Sequence, residues 1–105
     1  MSSEHHIKVG SIYITEEAKK QLKKLPKSIQ KKFKKQIEIF KVNPYYPSLQ
    51  FKKYHAINPN LYEIRIDRKY RIILEQEVLL EENKITSNFT ILAVGKHDIL
   101  DKGNF

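Results

Sequence analysis

LYEIRIDRKYRIIL, residues 61–74, carries the pattern that decides the fold. Tyr62-Glu-Ile-Arg-Ile66 and Tyr70-Arg-Ile-Ile-Leu74 are rich in β-branched and aromatic residues and read as strands. Asp67-Arg68-Lys69 separates them, so the stretch predicts a hairpin. Its register follows from parity. Tyr62, Ile64 and Ile66 share one face of the first strand; Tyr70, Ile72 and Leu74 share one face of the second. If both apolar sets meet one core, even-numbered residues oppose even ones and odd oppose odd. A three-residue loop satisfies this, pairing Ile66 with Tyr70, Arg65 with Arg71, and Ile64 with Ile72. Arg65 and Arg71 then lie directly opposite each other, on the face turned away from the apolar set. Like charges so placed cost up to about 1 kcal/mol. An anionic ligand would relieve the repulsion. So would splaying into water, or neutralisation of one arginine by Glu63.

Working outward, Phe89-Thr-Ile-Leu-Ala-Val94 reads as a third strand, ending at Gly95 and followed by Lys96, His97 and Asp98. The 70–74 strand can extend to Leu80, with a turn at Glu81-Glu82-Asn83. Upstream, Ile7–Ile14 (IKVGSIYI) reads as a strand whose alternation slips at Gly10-Ser11, the mark of a bulge. Thr15 is a candidate N-cap, with Glu16 and Glu17 in the first turn. Ala18, Leu22 and Leu25 follow at helical spacing, and Pro26 closes this helix. Ile29, Phe33, Ile37 and Phe40 form the apolar stripe of a second helix from about Lys27 to Lys41. Asn43-Pro44 ends it. The order is β-α-α-β-β-β. It predicts an α+β domain, a two-helix hairpin packed on one face of a small twisted antiparallel sheet. Residues 1–6 are expected to be a flexible terminus, and 7–105 one domain.

The 105 residues suffice for one core. With no cysteine, disulfides and thiolate metal sites are excluded. No stretch is apolar enough to span a membrane, and MSSEHHIKVG lacks the layout of a signal peptide, so the expected location is cytoplasmic. The net charge of +8 is unevenly placed. Residues 15–53 hold 12 lysines against three acidic side chains, a net of +9, while the rest of the chain is at −1. Such asymmetry suits a polyanionic partner, nucleic acid or an acidic protein, although a lysine-rich helix face is also an ordinary solvated surface.

If the 89–94 strand pairs antiparallel with the 70–80 strand, its end lies beside Tyr70 and Arg71, and His97 reaches the same end of the sheet as both arginines. Lys52, Lys53, Tyr54 and His55 precede the hairpin, Arg68 is in its loop, and Lys96 flanks His97. These residue types suit phosphodiester chemistry on RNA without a metal or cofactor. RNA carries its own nucleophile, the 2′-OH. Histidine can take or give a proton near neutrality. Arginines offer fixed donors to phosphate oxygens as charge develops. Tyr54 or Tyr70 could stack on a base. Asp98 either orients the imidazole or meets water. For a metal site Asp67, Asp98 and Asp101 are available, but no HxxxH or DxD spacing occurs, and there is neither a nucleophile motif nor a glycine-rich phosphate loop.

Three stretches, LKKLPKSIQKKFKKQIE, LYEIRIDRKYRIIL and ILAVGKHDIL, in this order and spacing, resemble the RelE/ParE superfamily of toxins from type II toxin–antitoxin pairs. The resemblance runs from about Ile7 to Leu100. It implies a RelE-like fold and a toxin neutralised by an acidic antitoxin. RelE-, YafQ- and YoeB-like members are metal-free ribonucleases that cut mRNA in the ribosomal A site; ParE-like members inhibit DNA gyrase. By resemblance, Arg71 in KYRII matches the arginine of the family's YR strand, which contacts the scissile phosphate. Arg65 falls where RelE has a catalytic lysine. His97 in GKHD falls where YafQ-like members have a catalytic histidine. Lys52 and Lys53 match the basic stretch ahead of the hairpin. RelE-type chains have a functional tyrosine shortly after the GK element; here Ile99, Leu100 and Asp101 follow, and no tyrosine occurs after Tyr70. The resemblance therefore implies a histidine-based mechanism closer to YafQ or YoeB, with a catalytically inactive relative as the alternative.

Overall fold

Thr15 both ends the first strand and starts the first helix. Its backbone is extended, and its hydroxyl accepts the Ala18 amide at 3.0 Å, satisfying one of the unpaired donors of the helix start. In the computed structural model, which describes residues 7–54 and 58–100, this cap follows β1 (Val9–Ile14) and opens α1 (Glu16–Lys23). Pro26 then precedes α2 (Lys27–Val42). Ile29, Phe33, Ile37 and Phe40 of α2 are buried, as their spacing requires, and the intervening lysines face outward. A 3-10 turn at Pro47–Leu49 leads to β2 (Lys52–Lys53), β3 (Leu61–Arg65), β4 (Tyr70–Glu81), β5 (Lys84–Lys96) and the single turn α3 (His97–Leu100). The expected flexibility of residues 1–6 lies outside the described residues.

The five strands form one sheet in the order β1-β5-β4-β3-β2. β2 through β5 pair antiparallel. β1 departs from the expected antiparallel sheet: it runs parallel to β5, with Ile12 beside Phe89 and Ile14 beside Ile91. Parallel neighbours cannot be joined by a tight turn. The two helices and three further strands lie between these partners, so no local pattern fixes the direction of this pair. The expected bulge is present, since the step from Val9 to Ile12 matches the shorter step from Ser87 to Phe89. The Ser11 amide donates to Asn88 Oδ1 at 2.8 Å, and a Cβ on Gly10 would collide with that same side chain. A second bulge inserts Leu92 between Ala93, which faces Ile73, and Ile91, which faces Leu74.

β5 begins at Lys84, five residues before the apolar run. Lys84–Asn88 are polar but for Ile85 and pair with Glu77–Glu81, and Val78, Leu80 and Ile85 stay exposed.

The two sides of the sheet differ. One side packs Ile64, Ile66, Ile72, Leu74, Phe89, Ile91 and Val94 against Ala18 of α1 and the α2 stripe. Phe40 meets Phe89 edge-on at 5.0 Å. On the other side Tyr54, Leu61, Ile73, Ala93 and Leu100 form a smaller cluster, closed by α3. Buried Gln36 ties α2 to the free edge of β3: its amide donates to the Arg65 carbonyl at 2.8 Å and the Ser48 carbonyl at 3.2 Å. Gln21 of α1 accepts the Val94 amide at 2.8 Å.

Candidate functional site

The parity argument holds residue by residue. Ile64 faces Ile72 and Arg65 faces Arg71 across β3 and β4, and the Ile66 amide donates to the Tyr70 carbonyl at 2.9 Å. Of the three ways to relieve the opposed arginines, the structure shows Glu63. This carboxylate is buried, with Arg71 Nε at 3.6 Å and Lys52 Nζ at 3.8 Å. Arg71 is itself largely buried, its side chain 12% exposed. Its Nη1 donates to the carbonyls of Asp67 at 2.7 Å and of Arg68 and Tyr70 at 3.2 Å. The guanidinium is thereby fixed against the turn it follows. Arg65 differs: its Nε is buried and has no hydrogen-bond partner among the described residues.

Asp67 builds the turn. Its carboxylate accepts the amides of Lys69 and Tyr70, both at 2.9 Å, and stands 3.8 Å from Lys32 Nζ. Burial alone would raise its pKa. The two amide hydrogen bonds and the charges of Lys32 and Arg71 outweigh that effect and hold it below the ordinary carboxylate value.

β5 brings the C-terminal element alongside. Gly95 faces Arg71, Lys96 faces Tyr70, and the His97 amide donates to the Lys69 carbonyl at 2.9 Å. The backbone of His97 therefore lies at the arginine end of the sheet, as an antiparallel β5 requires. Lys96, His97 and Asp98 are exposed there, and so are Arg68 and Lys69 in the turn.

Not every expected residue joins this end. Lys52 does so through Glu63. Lys53 points the other way: its amino group donates to the Pro59 carbonyl at 2.7 Å and lies over the Tyr62 ring. Tyr54 is not an open stacking surface, because its ring is buried in the smaller cluster and its hydroxyl donates to the Leu100 carbonyl at 2.6 Å. Tyr70 packs on the helix side of the sheet, away from the Arg65–Arg71 row. His55 lies outside the described residues. The sequence offers Glu63 as a neutraliser of one arginine, and its odd parity puts it on the arginine face. Lys32, Lys35 and Gln36, which border the same turn from α2, were legible only as residues flanking an apolar stripe.

A family model described as the ParE toxin of the type II toxin–antitoxin system parDE matches residues 12–99. Among solved structures, YafQ from E. coli superposes with a TM-score of 0.64 at 13% identity, covering 86% of this chain and 96% of that one. A YoeB/ParE toxin from Agrobacterium tumefaciens gives 0.63 at 11% identity, covering 84% and 99%. A chain of the RelB–RelE antitoxin–toxin complex from Methanococcus jannaschii gives 0.58 at 25% identity, covering 84% and 93%. No curated protein matches the chain. The helix pair on a mixed five-stranded sheet is the fold of these toxins, and with nearly the whole chain matched by the family model, this protein belongs to the ParE toxin family and is a type II toxin–antitoxin toxin of the RelE/ParE superfamily.

Proposed function

We propose that the chain is a metal-free endoribonuclease that cuts mRNA at the ribosomal A site and so arrests translation in the cytoplasm. The observation that supports this best is the convergence, at one end of the sheet, of the Arg65–Arg71 row with the His97 segment. A base takes the proton of the substrate 2′-OH. The 2′-oxygen bonds to phosphorus as the bond to the 5′-oxygen breaks, and an acid protonates the departing 5′-oxygen. His97 carries one of these protons. Arg65 and Arg71 stabilise the charge gathering on the phosphate oxygens. In this role Arg71 acts as a fixed positive charge, because Glu63 and three carbonyls already hold it in place. Arg68, Lys96 and Lys52 add positive charge for the RNA backbone. The basic 15–53 segment suits an acidic cognate antitoxin; RelE and YafQ relatives are found in complexes with RelB and DinJ.

His97→Ala tests the reading. With the unfolding midpoint unchanged, cleavage mapped by primer extension on cellular mRNA after induction should fall about 100-fold or more. Undiminished cutting by this variant would refute the role of His97.

A second reading has its own support, because the matching family model is that of ParE. A non-enzymatic gyrase inhibitor would raise a DNA-damage response without mRNA cuts. A relative lacking both outcomes would be catalytically inactive.

A further inference from the structure

The outermost pair of β3 with β4 is Leu61 with Glu75, and β1 first meets β5 at Ser87. Beyond these, Leu79–Glu81 of β4 and Lys84–Thr86 of β5 have only each other as strand neighbours. Alternation carries the helix-side face of β4 from Leu74 through Gln76 to Val78 and Leu80, and Ile85 faces Leu80 across the hairpin. Val78 is 60% exposed, Leu80 73% and Ile85 64%. Single exposed apolar residues are ordinary, but three together on one face of a narrow hairpin mark a contact surface. The same tip, residues 77–86, holds three acids, Glu77, Glu81 and Glu82, against one lysine, Lys84. Its charge is opposite to that of the chain as a whole, so it attracts neither nucleic acid nor an acidic antitoxin.

A second apolar patch lies at the end of α2. Val42 is 87% exposed, and Tyr45 and Tyr46 after it are nearly half exposed. The last turns of α2 also expose Lys34, Lys35 and Lys41, against one acid, Glu38, which Lys41 already engages at 3.2 Å. Ring contacts fix the position of this patch. Tyr45 meets Phe51 edge-on at 5.7 Å, Phe51 lies 6.2 Å from Phe89, and Phe89 faces Gln76, two residues before Val78. Both patches therefore lie on the helix side of the sheet, at the end where the hairpin tip begins.

We propose that these two patches meet between two copies of the chain related by a two-fold axis, the hairpin tip of each copy lying on the α2 end of the other. A surface that is apolar and acidic is complemented by one that is apolar and basic, and the chain carries that second surface itself. Because both patches share one side and one end of the sheet, the contact is reciprocal and closes at two copies. Pairing of tip with tip is disfavoured, since it sets Glu77, Glu81 and Glu82 of one copy against the same acids of the other. The six apolar side chains offer about 100 Å² each. With the aliphatic stems of the lysines beside them, this approaches the roughly 800 Å² per partner of a stable interface. Nothing in this contact depends on whether the toxin cuts RNA.

Sedimentation equilibrium of the full chain tests this. The parent should form dimers with a micromolar or tighter dissociation constant. Val78→Thr/Leu80→Thr keeps strand-forming residues at exposed positions, and its folding is checked by unfolding midpoint. With that midpoint unchanged, it should dimerise at least about tenfold more weakly. Two charge-reversed proteins give the sharper comparison. Glu77→Lys/Glu81→Lys makes the tip basic; Lys35→Glu/Lys41→Glu makes the α2 end acidic. Each alone should be largely monomeric. An equal mixture of the two should restore the dimer, because each tip then meets opposite charge on its partner. A parent that stays monomeric at about 100 μM would overturn the proposal, even if the tip held some other basic protein. So would parental affinity in the threonine pair, or a mixture of the reversed proteins that forms no dimer. An α2-reversed protein that dimerises like the parent would also overturn it, since the tips would then be pairing with each other.

Discussion

The two sides of the sheet are built from the same strands and hold opposite kinds of residue. The helix side buries an aromatic and aliphatic core from β3, β4 and β5 under α1 and α2. The other side has five buried residues in its apolar cluster, and beside them the Glu63 carboxylate held near Arg71 and Lys52. Burial of apolar area stabilises whatever its geometry, so the helix side supplies most of the folding free energy. Buried ions contribute little net stability, because desolvation offsets their attraction. What they do contribute is orientation. The contrast teaches that one strand can serve both ends at once: Ile64 and Ile72 anchor β3 and β4 from one side, and that anchoring sets Arg65 against Arg71 on the other.

Four measurements test this contrast. The largest effect is expected from Phe89→Ala on the helix side, where the ring is fully buried and packs edge-on with Phe40. It should cost about 3–5 kcal/mol in urea unfolding. Glu63→Gln comes next, at about 2 kcal/mol. The variant leaves the Arg71 charge without its counter-ion, but the carbonyls of the turn still accept from the guanidinium. A loss as large as that of Phe89→Ala would mean that the charged side is as stabilising as the core, and the contrast would collapse. Thr15→Ala removes the α1 cap and should cost about 1 kcal/mol, a reference value for a change that touches neither charged group. The smallest effect belongs to Asp67, which links the hairpin to α2. Its folded pKa is lowered, so its contribution is present above the unfolded value of 3.8 and is lost as pH falls through the lower folded value. Asp67→Asn should therefore be less stable than the parent near neutrality, and the difference should vanish in strong acid.

Much of this arrangement is legible in the sequence. Alternation in Tyr62–Ile66, matched to the even-numbered apolar set of Tyr70–Leu74 across a three-residue loop, left one register and so fixed the Arg65–Arg71 pair. The helices were equally plain, since Thr15, Pro26 and Asn43-Pro44 are strong local signals. The parallel pairing of β1 with β5 was not legible, because direction between distant strands is set by the path of the chain over the sheet and leaves no local period. The early start of β5 was hidden for another reason: Lys84–Asn88 hold one apolar residue, Ile85, and it is exposed, so their strand lacks an alternating apolar mark. At the candidate site, type and parity placed Arg65, Arg71 and, by backbone, His97. They misplaced Tyr54, whose exposure depends on Leu100 packing and bonding over it from 46 residues away, and they missed the α2 lysines, whose relevance arises only once the hairpin turn docks beside them.

The pairing of β1 with β5 also bears on how the protein is made. Residues 9–14 emerge from a ribosome well before residues 87–91, their hydrogen-bonding neighbours. The first strand must wait for the two helices and three strands that lie between them, and contacts so far apart in sequence form slowly. Gly95 and His97 come later still. A growing chain thus holds its helices and its 61–74 hairpin before it holds the strand that joins β1 to the rest.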